Sequence, residues 1–401
     1  MVLFICTHFD SHGRDRAEIY ERLGRKVKIA YVYDVIYPYV KGGAEKRIWE
    51  ISKRLARKGH EVHIFGMKFW DGGAVLTKED VYLHGVCEPK ELYVEGRRSI
   101  KEAIYYARKL IRPLLKEDYE VIDCQAFPYF PCFSAKLCST LKRTPLVITW
   151  HEVWDDYWYE YLGKKGVFGQ VIERITTKLT GNMIAVSDRT ADDLKRVGVK
   201  NDISVITNGI DCGTIANLAA SEEKTDIIFV GRLIKEKNVD VLIKAVGLVK
   251  NEITAVRCVI IGAGPAQNEL ELLAADLDLE VNIEFTGFLA EYESVITRMK
   301  SSKVFVSPST REGFGIAALE ANACGLPIVT VNHAMNAVCD LIKDDNGFRC
   351  ELSEADIAVK ILASFDRRVA METSCLESAK GYDWDIIVAA IENYYETVTR
   401  S

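Results

Sequence analysis

Short apolar runs dense in β-branched residues alternate along this chain with stretches of helical periodicity, and that alternation constrains the fold more than any other feature. Residues 27–33, 61–65, 121–123, 146–150, 183–186 and 203–206 form a first series, and residues 227–230, 258–261, 283–286, 303–307 and 328–331 a second. Strands taking turns with helices predict parallel sheets covered by helices, an α/β architecture. The stretch 44–58 shows the local logic: Ala44, Ile48, Ile51 and Leu55 share one helical face, Lys46, Lys53, Arg54 and Lys58 lie on others, and Gly59 ends the helix. Residues 239–250 repeat the pattern with Val239, Leu242, Ile243, Val246 and Val249.

With 401 residues the chain has room for two or three domains. The interval 211–225 carries no strand pattern and is rich in small and polar residues, so the division falls there. The expected plan is an extension over 1–26 with no evident role, a first domain over 27–212, a linker over 213–225, a second domain over 226–383 and a terminal helix over 384–401. The first domain is one candidate surface for that helix to pack back on.

Fifty-two Lys and Arg against 58 Asp and Glu leave a net charge of -6, which argues against a nucleic-acid partner. The longest uncharged run of interest, 124–135, is too short to span a membrane and contains Pro128 and Pro131. Residues 1–26 lack the long apolar centre of a signal peptide. Eleven cysteines include no C-x-x-C pair and no Cys/His cluster at zinc spacing, so they read as buried thiols in a reducing compartment, with no metal site.

The chemistry-bearing residues concentrate in the second half. After the strand at 227–230 come Gly231, Arg232 and, further on, Lys237, two cations beyond the carboxyl end of a strand, where open α/β sheets bind ligands. They suit a diphosphate, or else decorate a solvated loop. The next strand runs into Gly262-Ala263-Gly264-Pro265. A dinucleotide fingerprint would need a further glycine where Gln267 stands, so Gly262 and Gly264 fit a tight turn as well as a nucleotide contact. Residues 307–315 bring Glu312 and Gly313-Phe314-Gly315 to a helix that opens at Ile316 and carries Glu320. Free amides at such a helix start can hold an anion, and a carboxylate beside apolar residues needs donors, for which sugar hydroxyls are suited. Helix capping by Glu312 and solvation of Glu320 are the alternative.

Taken together these residues resemble the family 4 glycosyltransferases, retaining enzymes of the GT-B fold in which two Rossmann-like domains face each other across a cleft. The strongest motif is Glu312-Gly-Phe-Gly-Ile-Ala-Ala-Leu-Glu320, continued by 321–327. Gly231-Arg232 with Lys237, the segment Asn208-Gly209-Ile210-Asp211 and the pair Gly42-Gly43 match further family segments. The resemblance implies hexosyl transfer from a nucleoside-diphosphate sugar, a co-substrate with no other cofactor, to a sugar or polyprenyl-linked glycan. It implies that Arg232 and Lys237 offset diphosphate charge and that Glu320 accepts from ribose hydroxyls. Glu312 with the amides of Gly313, Phe314 and Gly315 would hold the donor sugar and its phosphate, beside Ile316, while Gly42 and Gly43 approach from the first domain. His151 matches a family histidine near the reacting carbon; without the resemblance it reads as a strand-end histidine bonded to backbone. No D-x-D motif stands on a strand-end loop, since Asp383-Trp384-Asp385 is explained by capping, and the transfer is expected to be metal-independent. The loop at 332–337 departs from the family's glycine pair, with Asn332 and Asn336 as alternative hydroxyl partners.

The acceptor side is less defined. Residues 151–161 carry five aromatics with several carboxylates, and Trp154, Asp156 and Tyr157 are acceptor candidates, a packed interdomain surface being the equal alternative. Lys46, Arg47, Lys53, Arg54, Arg57 and Lys58 resemble a membrane-facing helix of relatives that act on lipid-linked acceptors, which would bring the enzyme to an anionic membrane at its cytoplasmic face; a solvated helix face is the alternative. An epimerase or a non-catalytic sugar-nucleotide-binding protein of the same fold are the competing functions.

Overall fold

The computed structural model describes residues 26–94, 97–343 and 345–400, so residues 1–25 of the expected extension lie outside the described residues. The first domain is built on an eight-stranded sheet with the order β10-β9-β8-β7-β1-β2-β4-β3. Its strands are β1 (Lys28–Val32), β2 (Glu61–Gly66), β3 (Val75–Lys78), β4 (Val81–Gly85), β7 (Val121–Ala126), β8 (Leu146–Trp150), β9 (Asn182–Ala185) and β10 (Ile203–Val205), with a separate small hairpin of β5 (Tyr93–Val94) and β6 (Arg97–Arg98). Only the β3/β4 pair is antiparallel in the large sheet. The helices are α1 (Gly43–Arg57), α2 (Ile100–Leu114), α3 (Phe130–Lys142), α4 (Tyr157–Leu162), α5 (Gly166–Thr176) and α6 (Asp188–Arg196).

Burial on both faces explains why these strands read as continuous apolar runs. In β1, Ile29 and Tyr31 enter one core with Ile48, Trp49 and Ile51 of α1, while Ala30 and Val32 enter the opposite core with Tyr106 and Leu110 of α2. The β3/β4 hairpin was not legible in the sequence. Its turn puts Glu79 and Asp80 at φ values of 48° and 61°, a left-handed pair that Asn-Gly usually announces.

The second domain has a six-stranded parallel sheet ordered β13-β12-β11-β14-β16-β18. Its strands are β11 (Ile227–Val230), β12 (Cys258–Ile261), β13 (Ile283–Gly287), β14 (Val304–Ser307), β16 (Ile328–Val331) and β18 (Gly347–Cys350), and β15 (Arg311–Glu312) pairs separately with β17 (Met335–Asn336). Around them lie α7 (Cys212–Asn217), α8 (Val239–Glu252), α9 (Gln267–Asp276), α10 (Tyr292–Lys300), α11 (Ile316–Ala323), α12 (Val338–Leu341) and α13 (Glu354–Lys380). The interval at 213–225 therefore contains helix as well as connection: Asp211 caps α7 by accepting from the Thr214 amide at 2.8 Å, and Ile215 is buried.

The chain crosses between the domains twice, and the crossings lie side by side, Ile210 bridging Asp383 in parallel. The last helix, α14 (Trp384–Arg400), then lies on the first domain, where Trp384, Ile387, Val388, Ile391 and Tyr395 join the core formed by Ile29, Tyr31 and Trp49. A Cβ on Gly209 would come within 2.6 Å of the Trp384 ring, so that glycine lets the two crossings pack. Asp383 accepts from the Cys212 and Asp385 amides, which is the capping role that its sequence position suggested.

The six cations of α1 do not form a free basic face. Arg47 is buried and donates to the Ile206 and Thr207 carbonyls; Lys46 pairs with Glu320, Lys53 with Glu50, Arg54 with Glu50, Asp211 and Asp385, Arg57 with Glu79 and Lys58 with Glu392. The helix sits between the sheet, the crossings and α14, where each of the six cations has a partner in this chain. No helix of the described residues is long and apolar enough to cross a membrane.

Candidate active site

Strand ends of both domains point into the interdomain cleft, and two cavities of about 500 Å³ open there. The first is lined by Arg232, Lys237, Glu312 and Gly313 from the second domain and by Glu152, Trp154 and Tyr157 from the first. The second is lined by Gly42, Gly43 and Lys46 on one side and Tyr292, Ile316 and Glu320 on the other. Residues far apart in sequence are brought together because each follows the carboxyl end of a parallel strand or starts the next helix.

In the first cavity Lys237 is ion-paired with Glu312, and Ser309 donates to the same carboxylate at 3.4 Å. Arg232 is exposed to the cavity, with its guanidinium 5.4 Å from the Tyr93 ring centre. The backbone of Glu312 is fixed by β15/β17 pairing and by the Ala337 amide donating to its carbonyl at 2.9 Å. The divergent loop at 332–337 thus positions Glu312. Its Asn336 is fully buried, donating to Thr330 and the Val331 carbonyl, and so is unavailable as a sugar partner.

Gly313 and Gly315 have separate steric reasons. A Cβ on Gly313 would lie 2.3 Å from the His151 carbonyl oxygen, and Gly315, at φ 89°, sits where a Cβ would meet Val338 at 2.3 Å. Phe314 points away from the cleft into the core and packs on Tyr382. Gly262 and Gly264 line neither cavity: their would-be Cβ atoms fall 1.9 Å from the Gly231 carbonyl oxygen and 2.2 Å from that of Leu233. Their tight packing seats the Arg232 loop, so they serve the site through backbone, and a direct donor contact is not what the geometry offers.

In the second cavity Glu320 is nearly buried and receives Lys46 Nζ from across the cleft at 2.7 Å. The same ammonium lies 3.8 Å from the Tyr292 ring centre. Gly43 faces Ile316 Cδ1, 3.3 Å from a would-be Cβ, so the glycine loop approaches the second domain closely.

His151 stands at the end of β8, its ring bonded to a side chain and not to backbone. Its Nε2 lies 3.0 Å from Gln125 Oε1, Gln125 Nε2 donates to Asp123 at 2.7 Å, and Asp123 also accepts from Thr149 and from Tyr395 of α14. Because the Asp123 carboxylate only accepts, it orients the Gln125 amide, which makes His151 Nε2 the donor and leaves Nδ1 unprotonated. Burial, with the charge of Arg47 adding, lowers the His151 pKa to about 3. The imidazole is therefore neutral.

The aromatic segment is mostly wall. Trp154 is buried with its ring against Phe127 and Trp158, and Arg311 stacks 4.6 Å from Trp154 and 4.2 Å from Tyr157 while pairing bidentately with Glu152. Tyr157 donates across the cleft to Glu236 at 2.7 Å. Asp156 is exposed, bonded to Gln170, and lines neither cavity. The whole segment hangs on Glu173, a buried carboxylate that accepts from Tyr129, Trp158 and the Trp154 and Asp155 amides. Glu173, Arg311 and Glu236 went unread in the sequence, and Lys46 was read only as part of the basic helix, because each acquires its role from a partner many residues distant.

Among the described residues one cluster, Glu61, His63 and Glu117, brings three metal-type ligands together, but Lys28 already pairs with both glutamates.

Two Rossmann-like domains with a cation-lined cavity between them define a GT-B glycosyltransferase. The family model described as Glycosyltransferase Family 4 matches residues 41–214, and that described as Glycosyl transferases group 1 matches residues 214–368. The chain belongs to the family 4 glycosyltransferases, and it is a hexosyltransferase. Over 384 residues it is 22% identical to the gpi3 subunit of phosphatidylinositol N-acetylglucosaminyltransferase from Schizosaccharomyces pombe, covering 92% of this chain and 80% of that protein. Among solved structures it resembles sucrose-phosphate synthase from Thermosynechococcus elongatus (TM-score 0.79, 16% identity, 94% of this chain and 100% of the other). It also resembles Anabaena HepE, solved with UDP and glucose (TM-score 0.71, 18% identity, 92% and 98%).

Proposed function

We propose that this enzyme moves a hexosyl group from a nucleoside-diphosphate sugar to a glycan or lipid-linked acceptor, with retention at the anomeric carbon and without a metal ion. The observation that carries this reading is the placement of Arg232 and Lys237 with Glu312 in one cavity, facing the first domain's aromatic wall. As the bond from sugar to diphosphate breaks, negative charge grows on the leaving group, and two preplaced cations stabilise it most where it is greatest. Lys237 would exchange its pairing with Glu312 for the phosphate, freeing the carboxylate to accept from sugar hydroxyls. Glu320 would likewise exchange Lys46 for ribose hydroxyls in the second cavity. A neutral His151 suits hydrogen bonding to the donor sugar better than proton transfer near pH 7.

Metal independence is favoured because two carboxylates of the first cavity have partners that the donor does not displace: Glu152 has Arg311 and Glu236 has Tyr157. A lipid-linked acceptor is in keeping with the phosphatidylinositol in the name of the fission-yeast relative. A cytoplasmic setting is in keeping with ten free cysteines among the described residues.

A panel of UDP-, GDP- and ADP-hexoses, with and without glycan and lipid acceptors, tests the proposal by nucleotide release and by NMR of the new anomeric centre. Acceptor-dependent release with an unchanged anomer, in EDTA, is expected. An inverted anomer refutes retention, and loss of activity in EDTA that added Mg2+ restores refutes metal independence.

A further inference from the structure

We propose that a third cavity, in the first domain, holds the hydrocarbon chain of an amphipathic acceptor whose polar head lies in the cleft; this rests on the transferase reading above. The cavity, of about 370 Å³, lies within the size range of small-molecule pockets, opens to the surface, and is lined by Ile100 and Ala103 of α2, Phe127, Trp158, and Phe168 and Ile172 of α5. Arg98, Phe127 and Tyr161 line both this cavity and the Arg232 cavity, so the two adjoin through shared walls.

Its chemistry selects the occupant. Apart from Arg98, Ser99 and Lys165 the lining side chains are apolar or aromatic. A buried sugar would leave hydroxyls without partners there, at a cost that a hydrocarbon chain avoids. The carboxylate below, Glu173, is already occupied by four donors and offers nothing to a ligand. The surroundings extend the apolar character outward: Val167, Val171 and Ile175 stand at helical spacing on the exposed face of α5, Phe168 is 70% exposed, and Ile100 and Ile104 of α2 are exposed as well. Lys164 and Lys165 are exposed beside this patch without an ion pair among the described residues, placed to meet anionic lipid headgroups.

The experiment measures binding of short and long dansyl-labelled alkanoic acids and of dansyl-labelled farnesol, below their micelle concentrations, alongside calorimetry with UDP, GDP and ADP. Saturable binding is expected, tightening roughly fourfold for each methylene buried. Preference for the straight chains points to an acyl lipid, and preference for farnesol to a prenyl lipid, both within the proposal. Ala103→Phe, which fills the cavity from a buried position, should weaken the long probe by at least about tenfold. Phe168→Asp, a change at an exposed site that leaves folding intact, should weaken it severalfold, with nucleotide affinity unchanged in both variants. A wild-type protein that binds nucleotide but no chain, or a Phe168→Asp protein that binds the chain as well as wild type does, overturns the cavity and leaves the transferase reading standing. Absence of nucleotide binding refutes that reading instead. If light scattering finds a dimer that Phe168→Asp dissociates, the face is a contact between copies and the proposal falls.

Discussion

Glu320 and His151 show how single side chains take their properties from partners on other elements. Glu320 is nearly buried, and Lys46 from the opposite domain neutralises it. Replacing it with Ala removes acceptors proposed for two ribose hydroxyls, each hydrogen bond to a charged group contributing about 1.5–3 kcal/mol. Nucleotide affinity measured by calorimetry should fall by at least about tenfold, and an unchanged affinity refutes the ribose role. For His151 the sign of the pH effect is fixed by its folded pKa of about 3 against 6.5 in a model peptide. The unfolded chain binds the proton more readily, so the stability associated with the neutral ring is full above about pH 6.5 and is lost as pH falls toward 3, at up to about 1.4 kcal/mol per unit. Urea unfolding of wild type and His151→Asn between pH 7 and 4 should show the steeper loss in wild type. Equal slopes refute it.

At the scale of elements, α14 is the clearest case of a helix whose pattern is plain and whose partner is not. Trp384, Ile387, Ile391 and Tyr395 announce an amphipathic helix, yet nothing local says that they complete the first domain's core. Trp384 is fully buried, so Trp384→Ala should cost about 3–5 kcal/mol in denaturant unfolding. Tyr395 also donates to Asp123, which sets Gln125 and through it His151; Tyr395→Phe should therefore shift the His151 ring resonances in NMR while the fold persists. The basic helix α1 carries the complementary lesson. Its charge run is visible in the sequence, but Glu320, Asp211, Asp385 and Glu392, which pair with Lys46, Arg54 and Lys58, come from a different domain, the crossings and the C-terminal helix.

Over the whole molecule, the two domains meet through polar contacts that ring the cavities: Lys46 with Glu320, Glu152 with Arg311, Tyr157 with Glu236, and Ser187 with the Gly313 carbonyl at 3.2 Å. Such contacts are screened by salt and exchangeable with a ligand, unlike an apolar seam. Lys46→Ala combined with Glu152→Ala should open the cleft, seen as a larger radius of gyration by small-angle X-ray scattering, and nucleotide should restore less of the compact form than in wild type. An unchanged radius refutes that role.

Apart from β3, β4 and β18, periodicity alone determined the alternating strands and helices of both sheets, because side-chain burial on a strand or helix repeats at a fixed local interval. Arg232, Lys237 and the segment from Glu312 to Glu320 stood out in the sequence through their resemblance to family motifs, and the fold gathers Arg232, Lys237 and Glu312 around one cavity. Only the tertiary structure decided that Gly262 and Gly264 seat a loop, that Asn336 and Phe314 are buried, and that Trp154 is wall. It also decided that Lys46 faces Glu320 and that Tyr395 reaches the His151 network through Asp123. The physical reason is range: burial patterns are written in neighbouring residues, whereas an ion pair or a shared cavity depends on which distant segments the packed cores bring within a few ångströms.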